Sequence, residues 1–274
     1  VDSRQYIFSF AINSPEEAPA DFAVPSDLDT VEAGVFLPRD DADWLGRRKY
    51  PARVLLLTGR EVVAAAHPAS KEGLLRIPLD RLETIECGRI LLVGWIIFAW
   101  DGGRKKLPYN TRTAGPIEKF VQTLKDRWLP PAPGAEAGPS RSLGEPLDLK
   151  FGFARSAELL AGETPLVQFF HAAARRPSRR PLLRRVTWIP GDLVAVTPRR
   201  LLWITEQRGG RYERYGTVSR SAPWPAVAGV RCVPAGQGGE LEVAFRSGDS
   251  WRVPFRDNEE PEARKLEAAI GRMS

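Results

Sequence analysis

Cysteine, histidine and methionine are scarce in this chain, whose 274 residues hold two cysteines, two histidines and one methionine. With no Cys-x-x-Cys pair and only His67 and His171 to assist, a zinc site of the usual kind cannot be assembled. No metal and no cofactor is expected. Cys87 and Cys232 fall on apolar stretches and are expected to be small buried hydrophobes.

Catalytic signatures are missing as well. There is no Gly-x-Ser-x-Gly elbow, no phosphate loop, no dinucleotide fingerprint and no His-Glu-x-x-His. Both histidines stand beside apolar residues near the ends of predicted strands, so they read as structural, and the chain reads as a non-enzyme. Long apolar runs are lacking too: the longest, Ile90 to Trp100, falls well short of the roughly 18 to 20 residues that span a bilayer. No secretory signal is visible at the N-terminus, and a cytoplasmic protein, peripheral to a membrane in the second reading, is the expectation.

What is present is a duplication. The run Leu193 to Thr205 is apolar, breaks at Thr197-Pro198-Arg199-Arg200 and resumes, which predicts two strands joined by a tight turn. Val54 to Ala64 does the same around Thr58-Gly59-Arg60. Other landmarks recur in the same order. Phe8-Ser9-Phe10-Ala11 matches Phe151-Gly152-Phe153-Ala154, and Val31–Pro38 matches Thr164–His171. Leu82–Cys87 matches Val227–Cys232, and Leu107-Pro108-Tyr109 matches Val253-Pro254-Phe255. Each copy closes on a predicted helix. The first carries the stripe Ile117, Phe120, Val121, Leu124 and Trp128, with Thr113 as N-cap and Pro116 near its start. The second carries Ala263, Leu266, Ile270 and Met273, with Asp257 or Asn258 as cap and Pro261 in its first turn. The expected division is a first copy over 1–129, a Pro/Ala/Gly-rich linker over 130–146 and a second copy over 147–274.

A Leu/Val-rich strand ending in Thr-x-Arg, an apolar return strand, further strands and one terminal helix resemble the bacterial PH-like domains of the PH/GRAM superfamily. The resemblance covers most of both halves and rests on a short motif. It implies a mainly β fold: two bent antiparallel sheets, nearly barrels, each closed by its C-terminal helix. It also implies binding of phosphoinositides, peptides or partner domains in place of catalysis, although fold alone does not decide function.

Two surfaces are candidates for that binding. The strand Ile90 to Trp100 is apolar on both faces, where a half-buried antiparallel strand alternates. Something must cover its outer face, so Trp95, Ile97, Phe98 and Trp100 form a candidate contact for the other copy, a second chain or a protein partner. The second candidate is basic. Residues 1–134 carry eighteen charges of each sign, whereas 135–274 carry 22 basic against 16 acidic, and residues 171–220 set twelve arginines against Asp192, Glu206 and Glu213. Arg175, Arg176, Arg179, Arg180, Arg184 and Arg185 cluster between the first two strands of the second copy, where a PH domain would meet a phosphorylated headgroup. Guanidiniums suit bidentate phosphate contacts, and a solvated basic face is the competing reading.

Four further stretches carry charge. Asp40, Asp41 and Asp43 fit no EF-hand spacing and read as a solvated acidic loop. Arg47, Arg48 and Lys49 beside them mostly cancel that charge. Arg211-Tyr212-Glu213-Arg214-Tyr215 could stack on bases, but it reads better as an exposed strand, so nucleic acid is the least favoured partner. The acidic segment Ser14 to Thr30 is expected to be a surface loop. A self-associating or protein-binding scaffold is therefore the first functional reading, and an anionic phospholipid binder the second.

Overall fold

The computed structural model describes residues 8–28, 30–39, 50–68, 70, 72–90, 93–111, 114–131, 140–177, 186–207, 216–235 and 238–274. The fold is mainly β, with several sheets and, among the described residues, no closed barrel. It divides into two compact units, residues 1–82 with 91–130 and residues 83–90 with 131–274.

In the first unit β1 (Phe10–Ile12), β2 (Val31–Leu37), β3 (Arg53–Thr58), β4 (Glu61–Ala66) and β5 (Leu75–Pro78) form an antiparallel sheet in sequence order. Ile12, Phe36, Val54, Leu56 and Val63 gather on one side of it, and Phe22, Ala18, Val24 and Leu28 pack onto them. The segment 14–30 is thus no plain surface loop, because its spaced apolar residues cover a sheet face that would otherwise stand in water. β6 (Leu82–Ile90) lies in the second unit from Glu83 onward. β7 (Val93–Trp100) and β8 (Gly103–Asn110) make a hairpin of the first unit, which ends in α1 (Gly115–Trp128). The expected stripe Ile117, Phe120, Val121, Leu124 and Trp128 is buried, and the Trp128 indole donates to Leu82 O at 2.9 Å. Pro116 occupies the first turn as expected. The N-cap position is Ala114, with no side-chain cap, and Thr113 lies outside the described residues.

The second unit is built around β10 (Val167–His171), β13 (Asp192–Val196), β14 (Arg200–Glu206) and β15 (Gly216–Pro223), all antiparallel neighbours. β9 (Arg141–Gly144) pairs parallel with β10, so the last part of the expected linker is a strand. Residues 132–139 lie outside the described residues. β11 (Ala174–Pro177) and β12 (Val186–Ile189) form a separate hairpin. β16 (Val227–Pro234), β17 (Gly239–Phe245) and β18 (Ser250–Phe255) form a three-stranded meander, and α3 (Glu260–Gly271) follows. Ala263, Leu266 and Ile270 are buried as the periodicity requires, with Ala269 beside them and Met273 at the margin. The cap differs from expectation: Asp257–Glu259 is a 3-10 turn, closed by the Arg256 amide donating to Glu259 at 2.8 Å, before Pro261 enters the helix.

Apart from its Thr197–Arg200 turn, the run Leu193 to Thr205 is mostly apolar because its sheet is covered on both faces. Val194, Val196, Leu201 and Trp203 point into a core shared with the meander and α3. Leu193, Ala195, Leu202 and Ile204 point the other way, onto Phe151 of α2 (Leu149–Glu158). This is the clearest departure from the duplication. Phe151-Gly152-Phe153-Ala154 is helix, whereas Phe10 and Ala11 lie in a strand. The local cause is Asp148, whose carboxylate accepts from the Phe151 amide at 2.9 Å and nucleates the first turn.

The recurrent threonine has one job in both copies. Thr58 Oγ1 accepts from the Arg60 and Glu61 amides at 3.3 and 3.2 Å, and Thr197 Oγ1 accepts from the Arg199 and Arg200 amides at 3.2 and 3.0 Å. A hydroxyl that satisfies two turn amides locks the hairpin. In the second unit the turn also carries Arg200, wholly buried against Glu163. Its Nε and Nη2 donate to the two carboxylate oxygens at 3.1 and 2.7 Å, Nη1 donates to Ser221 Oγ at 2.8 Å, and Nη2 also reaches Glu158 O. Thr197 and the Leu160 amide complete the carboxylate's partners at 2.7 and 2.9 Å.

β6 pairs antiparallel with β15, from Gly216 opposite Ile90 to Ser221 opposite Ile85. Arg220 Nε donates to Glu86 at 2.9 Å and the Ser247 amide to Glu83 at 3.1 Å. A strand from within the first copy is therefore part of the second unit's sheet.

Two outcomes follow from these contacts. A chain restricted to 131–274 exposes the β15 backbone and leaves Arg220 without Glu86, so it associates or precipitates on size-exclusion chromatography, and a peptide spanning 82–90 restores the monomer. Glu163→Gln leaves a buried guanidinium without its counter-charge and lowers stability by about 3–5 kcal/mol in urea unfolding. Burial pushes the Glu163 carboxyl up, but Arg200 and the hydrogen bonds outweigh it and hold the carboxyl below its ordinary range. The pair's contribution is therefore complete above about pH 4.3, the unfolded value, and is lost as pH falls through the lower folded value. Glu163→Gln removes that acid limb from the stability profile below about pH 4.3.

Candidate docking surface

α2 presents two opposite faces. At about 100° per residue, Leu149 and Phe153 lie two positions either side of Phe151 and so point roughly 160–200° away from it. Phe151 is 1% exposed and packs against Phe170 in a tilted pair, with ring centroids 5.0 Å apart. Leu149 is 81% exposed and Phe153 75%, the two most exposed large apolar side chains among the described residues. Gly152 and Ser156 complete the outward face, and Ser156 Oγ returns to Gly152 O at 3.0 Å. No charged residue stands on this face, whereas the solvent side of a surface helix is ordinarily charged. The charged side chains lie on the flanks. Lys150 pairs with Glu206 at 2.7 Å and Arg155 bonds Gln168.

The inward face sets where this apolar ridge stands. A Cβ on Gly191 would lie 3.1 Å from the Phe151 ring, 3.1 Å from the Ala173 amide nitrogen and 3.3 Å from His171 O. Gly191 follows β12 and Ala173 precedes β11, so the buried face of α2 meets the base of the β11–β12 hairpin and the apolar ridge lies on the opposite side of the helix. Across that hairpin Arg175 is opposite Trp188 and Arg176 opposite Thr187. Arg179, Arg180, Arg184 and Arg185 lie outside the described residues, between the two strands in sequence. Asp40, Asp41, Asp43, the Arg47–Lys49 run and Arg211–Tyr215 also lie outside them.

The other candidate surface is covered. Trp95 is 5% exposed, Ile97 7% and Phe98 0%, and Trp100 is half-buried. Lys106 Nζ lies 4.4 Å from the centre of the Trp95 ring. Three of the four side chains are thus buried by the chain itself.

The titratable groups are arranged for structure. His171 Nε2 stands 3.1 Å from Asp192 Oδ2, both buried, and Trp203 Nε1 donates to Asp192 Oδ1 at 2.8 Å. His67 pairs with Asp21 at 3.0 Å and meets Phe22 edge-on. Cys87 and Cys232 are half-buried, not buried as expected. Burial, followed by the neighbouring Glu267 carboxylate, pushes the Cys232 thiol up to about 12, which disfavours a thiolate nucleophile. Among the described residues, no group of three His, Cys, Asp or Glu side chains could hold a metal ion, and no helix is long and apolar enough to cross a membrane.

Sequence reasoning missed Leu149 and Phe153. The Phe-x-Phe spacing reads as a strand with both rings on one face, and the signal against that reading was Asp148, a capping residue three positions before Phe151. No protein-family model matches the chain, and no curated protein matches it by sequence.

Proposed function

We propose that the chain is a non-catalytic binding protein built of two PH-like domains, and that its second unit docks on an anionic phospholipid surface. The observation that carries this reading is the uncharged outer face of α2, where Leu149 and Phe153 stand 81% and 75% exposed, on a helix whose buried face meets the base of a hairpin with an arginine-rich sequence. An exposed apolar ridge suits the acyl layer of such a surface, and an arginine-rich sequence suits its phosphates.

The PH-like part is supported by element order. The first copy runs β2 to β5, then β6 to β8 and α1; the second runs β10, β13 to β15, then β16 to β18 and α3. The shared Thr-x-Arg turn has the same hydroxyl-to-amide geometry in both. The protein-binding reading through Trp95, Ile97, Phe98 and Trp100 recedes because three of those side chains are already buried.

The magnitudes are sufficient for reversible docking. Inserting the two exposed side chains is worth about 1.5–3 kcal/mol each, and each arginine near an anionic leaflet adds about 1 kcal/mol. Co-sedimentation with vesicles of phosphatidylserine and phosphatidylcholine tests this. The intact chain binds anionic vesicles, weakens as salt rises and ignores pure phosphatidylcholine. Leu149→Ser with Phe153→Ser lowers binding at least tenfold with unchanged thermal unfolding, and Arg179, Arg180, Arg184 and Arg185 to Ser removes the salt dependence. Equal sedimentation of the intact and Leu149/Phe153 variants would sink the proposal.

A further inference from the structure

The first unit holds a cleft of about 190 Å³ between β3, β4 and β5 on one side and β8 on the other. Ala64, Ala66, Leu75 and Leu107 make its apolar walls. Its polar end is Arg53, Glu72 and Lys105.

The charges at that end do not balance. Arg53, 3% exposed, donates from Nε and Nη2 to the two oxygens of Glu72 at 3.2 and 2.9 Å. Lys105 Nζ stands 3.1 Å from the same carboxylate. Burial pushes the Glu72 carboxyl up, but the hydrogen bonds from Arg53 and Lys105 outweigh it and hold the carboxyl below its ordinary range. One carboxylate therefore faces two cations. Arg53 Nη1 is buried and has no hydrogen-bond partner. A buried guanidinium nitrogen without an acceptor is costly to retain, and an uncompensated positive charge on an apolar cleft favours an anion.

We infer that this cleft binds a small organic monoanion, with its carboxylate on the Arg53–Lys105 end and a ring-sized apolar body against Ala64, Ala66, Leu75 and Leu107. The size follows from volume: a cavity of about 150 Å³ accepts benzene, so this one takes roughly a single ring with its acid group. The charge follows from the two-to-one count, and the monoanion closes it. Arginine and lysine together suit a carboxylate, the first as a planar fork and the second as a movable point charge. This inference concerns the first unit and is independent of the vesicle-docking reading.

The test uses the full chain with benzoate as the probe, and benzyl alcohol and benzylamine as neutral and cationic counterparts of similar shape. Binding is followed by the methyl NMR signals of Ala64, Leu75 and Leu107 and by calorimetry. Benzoate shifts those methyls, and benzyl alcohol binds at least about tenfold more weakly because it lacks the charge. Lys105→Met loses at least about tenfold in benzoate affinity while its unfolding temperature shows that it is folded. Because Arg53 is buried and its loss could unfold the unit, Arg53→Lys is the second variant, and it weakens benzoate without changing the affinity for benzyl alcohol. No methyl shift with benzoate or with hexanoate up to ~10 mM would overturn the inference. So would equal binding of benzoate and benzyl alcohol, or an unchanged benzoate affinity in Lys105→Met.

Discussion

The buried pair of Arg200 and Glu163 is the constraint on which the second unit depends. Arg200 leaves the Thr197 turn, reaches Ser221 on β15 and the carbonyl of Glu158 at the end of α2, and closes bidentately on Glu163. A fully buried guanidinium is tolerable only when its donors are met, and here a hairpin, a neighbouring strand, a helix end and a loop all converge on it. The helix that carries Leu149 and Phe153 is thereby held at its C-terminal end by an ion pair and at its N-terminal end by the Asp148 cap and the Lys150–Glu206 pair. The first unit has Glu61 where the second has Arg200, at the same place in the threonine turn. Glu61 instead is half-buried and holds Arg76, so the same turn is closed without a fully buried ion pair.

Both sheets need a cover on their second face, and the two units solve this with different material. The first uses the extended segment around Phe22 and Leu28, and the second uses α2 with Phe151. The need is the same because strands such as Val54-Leu55-Leu56-Leu57 and Leu193-Val194-Ala195-Val196 are apolar on both sides. The solution differs because Asp148 starts a helix, whereas the prolines from Pro15 to Pro25 do not allow one of useful length. An amphipathic cover need not leave its outer side polar. The outer side of α2 is uncharged, and that asymmetry is what turns a packing element into a candidate docking surface.

Much of the fold was legible in residue patterns: the threonine turns, the two terminal helices and the order of strands. Each of these rests on contacts close in sequence, such as the Thr197 hydroxyl on amides two and three residues on, or the spacing of Leu266 and Ile270 on one helix face. The candidate sites were far less legible. Phe153 alternates with Phe151 as a strand residue would, and nothing local marks Arg53 as a buried cation with a free donor.

The sequence by itself determined that the chain is mainly β and that helices follow Pro116 and Pro261. It also determined that arginine concentrates in the second copy. These properties follow from periodicity, capping and composition, which act over a few residues. Only the tertiary structure decided that Glu83–Ile90 belongs to the second unit's sheet, that Trp95 and Phe98 are buried, and that Arg53 meets Glu72 and Lys105. The physical reason is that strand partnership and charge pairing are set by long-range backbone and side-chain complementarity. Any apolar strand can satisfy the hydrogen-bonding needs of many neighbours, and its sequence alone does not say which one it meets.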